Sequence, residues 1–411
     1  MTATTKPEDV GLSSERLARI DDHLKKRYLD PEKIAGALTL IWRRGELAWL
    51  SPIGSMDLER GRPMAEDTIF RIYSMSKPIT SVALMQLYEH GHFQLTDRVD
   101  RYIPAFRDLG VYEAGSFPNY LTRPSARAMT VQDLLRHTSG LTYGFMHRSN
   151  VDHGYRKLGI GNVDDKPFDG SLAEMCERLG ELPLEFSPGD AWNYSVSTDV
   201  CGRLIEVISG EPLDEYFRRH LFEPLGMTDT GFHVSPENAD RLAACYERDR
   251  GKKLRLQDDP ATSPYLAKPK FLSGGGGLVS TAADYLRFCR MLEGGGQLEG
   301  QRILGHKTLE LMTRNHLGEG RDLQDMALGH FAETPYAGTG FGLGFSVQMD
   351  CAAGGLVGSE GEFAWGGAAS TAFWVDPFEE LIVIFMTQFM PSRTFNFRGQ
   401  LKSIIYGAIE D

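Results

Sequence analysis

A serine and a lysine three positions apart are the residues of this chain that most suggest chemistry. Ser74 and Lys77 are the first and last residues of an S-x-x-K motif at the head of an apolar segment that runs to Gly91. Residues i and i+3 share one face of a helix, so the Lys77 amine can act on the proton of the Ser74 hydroxyl. The N–H groups at a helix start favour the anion that forms when serine attacks a carbonyl. The motif therefore predicts a nucleophilic serine.

Two further segments support this interpretation, because an S-x-x-K pair alone is expected about once by chance in a chain of this length. They follow the motif in order along the chain and are Tyr194-Ser195-Val196 and Trp365-Gly366-Gly367-Ala368. Taken alone, a loop tyrosine often only packs its ring, and paired glycines often only form a turn. The ordered combination predicts that Lys77 and Tyr194 handle the proton of Ser74.

In these segments the chain resembles the serine β-lactamase and penicillin-binding-protein superfamily, and within it the class C-like carboxylesterases called family VIII. Ser74 and Lys77 match the S-x-x-K motif, and Tyr194 matches the tyrosine of the Y-x-N motif. Trp365-Gly366-Gly367 matches the W-G-G form of the K-T-G motif, and segments 134–141 and 273–282 are also similar to the group. The resemblance implies an acyl-enzyme on Ser74 and an oxyanion hole formed by the N–H groups of Ser74 and Ala368.

Two departures from the β-lactamase pattern bear on the substrate. Val196 stands where a β-lactamase carries an amide that binds the substrate's acylamide, and Trp365 stands where a lysine attracts its carboxylate. We interpret Trp365 as an apolar wall of the cleft, and Gly366 and Gly367 as positions where backbone approaches the substrate closely. The sequence thus predicts a serine carboxylesterase that hydrolyses short-chain or aryl esters.

Three alternatives remain open. An acyltransferase would use the same acyl-enzyme with an alcohol or amine as acceptor. A β-lactamase or D-amino-acid peptidase is disfavoured by Val196 and Trp365, and a catalytically silent binding member of the fold is disfavoured by the intact Ser74, Lys77 and Tyr194. The α/β-hydrolase route is disfavoured because no G-x-S-x-G motif is present, which leaves His137 a structural residue.

Periodic patterns predict the elements that must position these residues. Strands are predicted at both ends of the chain, at Gly36 to Trp42, Glu46 to Ser51, Gly342 to Met349, Thr371 to Val375 and Leu381 to Thr387. Helices are predicted at Ser14 to Tyr28, from Ser74 to Gly91, after capping pairs at Thr130, Ser171 and Thr281, and from Thr394 to Ile409. The middle of the chain is therefore expected to be mainly helical.

This order of elements predicts an α+β fold, and the resemblance implies a β-lactamase-like one, with an antiparallel sheet flanked by helices. Residues 1–95 and 270–411 are expected to form the body that carries the nucleophile helix and the W-G-G strand. Residues 96–269 are expected to form an inserted, mainly helical lobe that carries Tyr194. The active site is expected in the cleft between them.

Composition excludes several function classes. The net charge of −12 in 411 residues opposes nucleic-acid binding, which requires clustered Lys and Arg. The cysteines and histidines form no C-x-x-C or H-E-x-x-H pattern, and no lysine follows Gly274 to Gly277 as a phosphate loop requires, so no metal or cofactor is predicted. No apolar run is as long as a membrane span, and Met1 to Asp30 shows no secretory signal. We expect a cytoplasmic enzyme for a small-molecule ester, and the sequence leaves the oligomeric state undetermined.

Overall fold

The computed structural model, which describes residues 5–161, 168–329 and 336–411, is built around an eight-stranded antiparallel sheet. Its strands are β1 (Gly36–Arg43), β2 (Glu46–Asp57), β3 (Arg62–Pro63), β4 (Phe70–Arg71), β5 (Val111–Ser116), β6 (Asn119–Arg123), β7 (Cys245–Arg248), β8 (Leu254–Asp258), β9 (Val279–Ser280), β10 (Gln297–Leu298), β11 (Gln301–Arg302), β12 (Thr339–Phe341), β13 (Ser346–Gln348), β14 (Phe363–Gly366), β15 (Ala372–Asp376), β16 (Leu381–Thr387) and β17 (Phe389–Met390). The large sheet has the order β12-β13-β14-β15-β16-β1-β2-β3, so strands from both ends of the chain pair at its centre.

The α-helices lie on both faces of this sheet and in the middle of the chain. They are α1 (Ser14–Leu24), α2 (Ser76–Glu89), α3 (Val131–Leu135), α4 (Asn150–Lys157), α5 (Leu172–Leu179), α6 (Ser197–Ser209), α7 (Leu213–Phe217), α8 (Glu223–Leu225), α9 (Ala282–Glu293), α10 (His306–Met312), α11 (Leu323–Met326), α12 (Cys351–Gly354) and α13 (Phe397–Tyr406). No helix within the described ranges is long and apolar enough to cross a membrane.

Strand β1 shows why the sheet needs a helical layer on each face. All its residues are buried, and successive side chains point to opposite sides. Leu38 and Leu40 pack into the core that contains helix α2, whereas Ala37 and Ile41 pack into a second core with α1 and α13. The hairpin of β1 and β2 predicted from the sequence is confirmed.

Helix α2 is the element that carries the candidate nucleophile. It is buried on nearly every side from Ser76 to Leu87, which agrees with an apolar pattern that does not favour one face. A single 3-10 turn at Tyr73–Met75 precedes it, so Ser74 lies just before the first helical residue. Lys77 is the second residue of the helix and projects from its first turn.

The strand predicted at Gly342 to Met349 is confirmed only in its second half, where β13 lies. Residues 342–345 instead form the turn between β12 and β13, which pair as a hairpin. Gly344 has a φ of 103°, and a Cβ there would lie 2.3 Å from Oγ of Ser81. The turn therefore packs directly onto helix α2, at a position where a side chain would not fit.

The middle of the chain is less helical than its capping signals indicate. It also contains the hairpin of β5 and β6 and the hairpin of β7 and β8. Most residues of β5 and β6 are exposed, so these strands lack the alternation of apolar and polar residues that identifies a half-buried strand. β7 also pairs with β17, which joins segment 96–269 to the C-terminal part of the chain. The proposed division into body and lobe stays a prediction.

The predicted helix starts at Thr130 and Ser171 are confirmed as capping boxes of α3 and α5. At α3, Asp133 accepts hydrogen bonds from the N–H and the hydroxyl of Thr130. The same buried carboxylate pairs with Arg127 and Arg136 at 2.6 and 3.0 Å. Burial alone would raise the pKa of Asp133, but the bonds from Arg127 and Thr130 lower it to about 2.

We expect Asp133→Asn to lower the free energy of unfolding at pH 7 by about 3–5 kcal/mol, because two arginines lose their buried partner. The native carboxyl has a lower pKa than in the unfolded chain, so its contribution is present above about pH 4 and is lost as the pH falls toward 2. The difference in free energy of unfolding between the wild type and the variant should therefore become smaller below pH 4. Denaturant unfolding followed by circular dichroism from pH 7 to pH 3 measures it, and equal stability at pH 7 would contradict the expectation.

Candidate active site

Three side chains predicted from the motifs meet at one oxygen atom. The Tyr194 hydroxyl donates a hydrogen bond of 2.6 Å to Oγ of Ser74, and Nζ of Lys77 donates one of 3.1 Å to the same atom. Lys77 and Tyr194 are buried, whereas Ser74 is half-buried and open to a cavity. Two proton-carrying groups thus contact the hydroxyl that faces the cavity.

The Lys77 ammonium is held by a backbone carbonyl and by two aromatic rings. Nζ donates a hydrogen bond of 2.7 Å to the carbonyl oxygen of Gly275. It lies 4.5 Å from the ring centroid of Tyr194 and 5.3 Å from that of Tyr143. Cation–π contact partly replaces the water that a buried ammonium has lost. The lysine is therefore fixed within reach of Ser74 rather than free to turn away.

Tyr194 lies on the predicted loop between α5 and α6, and aromatic neighbours hold its ring. The ring centroids of His137, Trp365 and Trp192 lie 5.0, 5.5 and 6.2 Å from that of Tyr194. On either side of the tyrosine, the N–H of Asn193 donates to the His137 carbonyl and that of Val196 donates to the Thr142 carbonyl. The loop thus presents the phenol in one orientation.

The W-G-G segment brings strand β14 against the turn that carries Ser74. A Cβ on Gly367 would lie 2.4 Å from the carbonyl oxygen of Ile72, so only glycine permits this approach. Ala368 follows and lines the same cavity as Ser74. The side chains of Ala368 and Tyr73 pack against one small buried cluster. The backbone at Ala368 is therefore a neighbour of the nucleophile.

Trp365 differs from the expected cleft wall. Its side chain is only 1% exposed and lies behind Tyr194, in edge-to-face contact with Phe341 at 5.3 Å. It is not among the described residues that line the cavity, and neither are Gly366 and Gly367. Trp365 alternates along β14 with Ala364 and Gly366, which places its side chain in the core under the site. It supports Tyr194 instead of contacting the substrate space.

A cavity of about 820 Å³ opens above Ser74. Its wall contains many aromatic side chains, among them Tyr143, Phe145, Phe168, Trp192, Phe232, Phe271 and Tyr336. Val196 and Ala368, both predicted site residues, also line it. At one side Phe168 and Phe271 meet edge to face, with ring centroids 5.4 Å apart. The space is suited to an apolar or aromatic group bound next to the serine.

Several cavity residues were missed by the sequence reasoning. They are Tyr143, which faces Lys77, the buried Asp199, and two arginines at the rim, Arg148 and Arg393. The Lys77 acceptor Gly275 lies in segment 273–282, which the resemblance to the family had already indicated. One available signal was Asp199 itself, a carboxylate five residues after Tyr194 and directly before the apolar Val200 and Cys201. Nothing in the local pattern marks the others, because distant segments bring them to the site.

The buried His137 lies beside Tyr194 but faces a hydroxyl network. Its Nδ1 lies 3.2 Å from Oγ of Ser195, which in turn lies 2.7 Å from Oγ of Ser197. Burial, together with the nearby charge of Lys77, lowers the pKa of His137 well below its ordinary value, so the ring is neutral. Within the described ranges, no group of three or more His, Cys, Asp or Glu side chains is arranged to hold a metal ion.

Comparison with known proteins identifies the family of the chain. The model of the family described as Beta-lactamase matches residues 22–403. The chain belongs to the beta-lactamase family. This confirms the resemblance inferred from the motifs, and the predicted α+β, β-lactamase-like fold is confirmed with it.

Proteins similar to this chain indicate which type of reaction it catalyses. The chain is 36% identical over 370 residues to Protein Rv1367c of Mycobacterium tuberculosis, covering 89% of this chain and 88% of the relative. It is 31% identical over 400 residues to Esterase EstB of Burkholderia gladioli, covering 94% of each. The structure matches EstCE1, a hydrolase with promiscuous acyltransferase activity, with a TM-score of 0.78 and 27% identity over 96% of this chain and 99% of that one. This beta-lactamase family member is a serine hydrolase, an ester-hydrolysing or acyl-transferring enzyme.

Proposed function

We propose that the protein is a serine carboxylesterase that hydrolyses short-chain or aryl esters through an acyl-enzyme on Ser74. The observation that carries the proposal is the double contact at Oγ of Ser74, which Lys77 and Tyr194 both approach within 3.1 Å. Similarity to Esterase EstB over nearly the whole chain supports the ester as the scissile group. The substrate is a small molecule that fits the aromatic cavity.

The geometry is suited to a two-step mechanism. Ser74 attacks the ester carbonyl while its hydroxyl proton passes to Tyr194, which gives its own phenolic proton to the uncharged amine of Lys77. The N–H groups of Ser74 and Ala368 stabilise the oxyanion. The tetrahedral intermediate then collapses, and Tyr194 returns the proton to the departing alcohol. A water molecule attacks the acyl-enzyme with the same pair as base, which releases the acid and restores the serine.

The wall of the cavity supports a neutral ester as substrate. A penicillin needs a partner for its acylamide and a cation for its carboxylate, since buried polar groups without partners are penalised. Val196 supplies no amide, and the amide of the nearby Asn193 is already bonded to Arg148 and to the Leu141 carbonyl. Trp365 replaces the K-T-G lysine with a buried apolar ring. Aromatic side chains remain as the main contact surface for an acyl or aryl group.

We expect kcat/KM for p-nitrophenyl butyrate to exceed that for nitrocefin by on the order of a hundredfold or more, because nitrocefin leaves polar groups unpaired in this cavity. Both substrates are assayed with one preparation. The control variant Val196→Asn restores the missing amide and should narrow the gap. If the wild type cleaves nitrocefin as efficiently as the ester, the proposed preference is wrong, and Arg393 at the rim is the first cation to replace.

Acyl transfer by the same acyl-enzyme is the second candidate function. The similarity to EstCE1 favours it, and a cavity of about 820 Å³ leaves room for an alcohol beside a short acyl group. Added alcohol competes with water for the acyl-enzyme, so product analysis separates the two outcomes. Transesterification that exceeds hydrolysis at millimolar alcohol would assign the protein as an acyltransferase. Labelling of Ser74 without any turnover would instead indicate a silent binding protein.

A further inference from the structure

A buried carboxylate lies next to the reacting groups and has no part in the mechanism given above. Asp199 is in the first turn of α6 and is 3% exposed. Its Oδ1 accepts a hydrogen bond of 2.5 Å from the Ser273 hydroxyl and one of 3.0 Å from the N–H of Gly275. Burying an ionised carboxylate is costly unless donors or an opposite charge stabilise it. The cost of burying Asp199 suggests that the site uses its negative charge.

Gly275 links this carboxylate to the nucleophile. Its N–H donates to Asp199, and its carbonyl oxygen accepts the 2.7 Å hydrogen bond from Lys77. A Cβ on residue 275 would lie 2.7 Å from Oδ2 of Asp199, so glycine is needed for the contact. The carboxylate thus holds the backbone of the residue whose carbonyl oxygen directs Lys77 toward Ser74.

Asp199 and Lys77 also interact electrostatically. Burial raises the pKa of Asp199, while the bond from Ser273 and the positive charge of Lys77 oppose that rise. Among the described residues, the phenols of Tyr143 and Tyr194 and the neutral ring of His137 also face Lys77. A phenol or a neutral imidazole does not balance an ammonium. Asp199 is a buried carboxylate whose negative charge acts on the Lys77 ammonium.

We propose that Asp199 is a positioning residue for Lys77, which holds the Gly275 carbonyl in place and, as a counter-charge, sets the pH at which the lysine amine becomes available. The proposal rests on the proposed role of Ser74 as the nucleophile. A carboxylate beside an ammonium favours the charged form, so the amine loses its proton at higher pH than it would alone. Removing the carboxylate must then shift the pH dependence of the reaction in one direction.

The test is Asp199→Asn, which keeps the shape and the acceptor oxygen but removes the charge. We expect kcat/KM for p-nitrophenyl butyrate to fall by about ten- to a hundredfold, because the hydrogen bonds from Ser273 and Gly275 weaken when the carboxylate becomes a neutral amide and Lys77 is then held less accurately. The rising limb of its pH profile should move to lower pH by about one unit. The rate at which a fluorophosphonate labels Ser74 should show the same shift. The matched control is Asp133→Asn, another buried aspartate, which should lower stability but leave the limb in place.

An unshifted limb in Asp199→Asn would overturn the proposal, even if the activity falls. If this variant does not fold, Ser273→Ala is used, since it removes the 2.5 Å hydrogen bond and leaves the carboxylate. That variant should lose kcat several-fold at constant KM, and an unchanged kcat would also overturn the proposal. Failure of the fluorophosphonate to label Ser74 in the wild type would contradict the proposed function itself, so the two failures are distinguishable.

Discussion

Replacing Ser74 by alanine is expected to abolish ester hydrolysis while leaving the fold intact. The side chain is small and half-buried, so its loss leaves no core cavity, but it removes the atom that Lys77 and Tyr194 both contact. Loss of a catalytic serine typically costs at least about 10⁴-fold in kcat. Hydrolysis of p-nitrophenyl butyrate measures the loss, and circular dichroism verifies the fold.

The residue that carries the covalent label identifies the nucleophile more directly than the loss of rate does. A fluorophosphonate should modify the wild type at Ser74, as seen by mass spectrometry of the peptides, and should not modify Ser74→Ala. Ser76→Ala is the matched control, because this buried hydroxyl of the same motif accepts a hydrogen bond from the Leu278 N–H and does not contact Ser74. A label on another serine, or full activity in Ser74→Ala, would refute the proposed nucleophile.

Tyr194→Phe is expected to lower kcat by about 10²- to 10⁴-fold with little change in KM, because general acid–base catalysis acts in the transition state. The phenylalanine ring retains the contacts with His137, Trp192 and Trp365, so the variant removes only the hydroxyl that donates to Ser74. Steady-state kinetics on the aryl ester provides both constants.

Tyr143→Phe serves as the comparison for this variant. Tyr143 also places its ring over Lys77, at 5.3 Å, but within the described ranges no hydrogen bond from its hydroxyl to Ser74 is seen. We therefore expect a much smaller loss of kcat than in Tyr194→Phe. A loss below about tenfold in Tyr194→Phe, or equal losses in the two variants, would reduce Tyr194 to a packing residue.

The sequence predicted the elements whose signals are local. The capping boxes at Thr130 and Ser171, the hairpin of β1 and β2 and the buried helix after Ser74 all follow from neighbouring residues. The turn at Gly344 and the exposed hairpin of β5 and β6 do not, because the first is fixed by packing on helix α2 and the second has no apolar periodicity.

The same distinction applies to the candidate site. The motifs were sufficient to select Ser74, Lys77 and Tyr194, which the structure places together. The support of these residues was not predictable, because it comes from distant segments. Asp199 and its donor Ser273 are 74 positions apart. Whether Trp365 lines the cavity or packs in the core depends on which side of β14 its side chain occupies. The motif does not specify this side.

The contact between Phe168 and Phe271 has a consequence for protein engineering. These rings shape one side of the cavity, and they stand on segments separate from the turn, helix and loop that carry Ser74, Lys77 and Tyr194. We therefore expect the choice of acyl group to depend on positions other than those that carry out the chemistry. We expect a library randomised at these two positions to vary the acyl groups that are accepted without replacing Ser74, Lys77 or Tyr194.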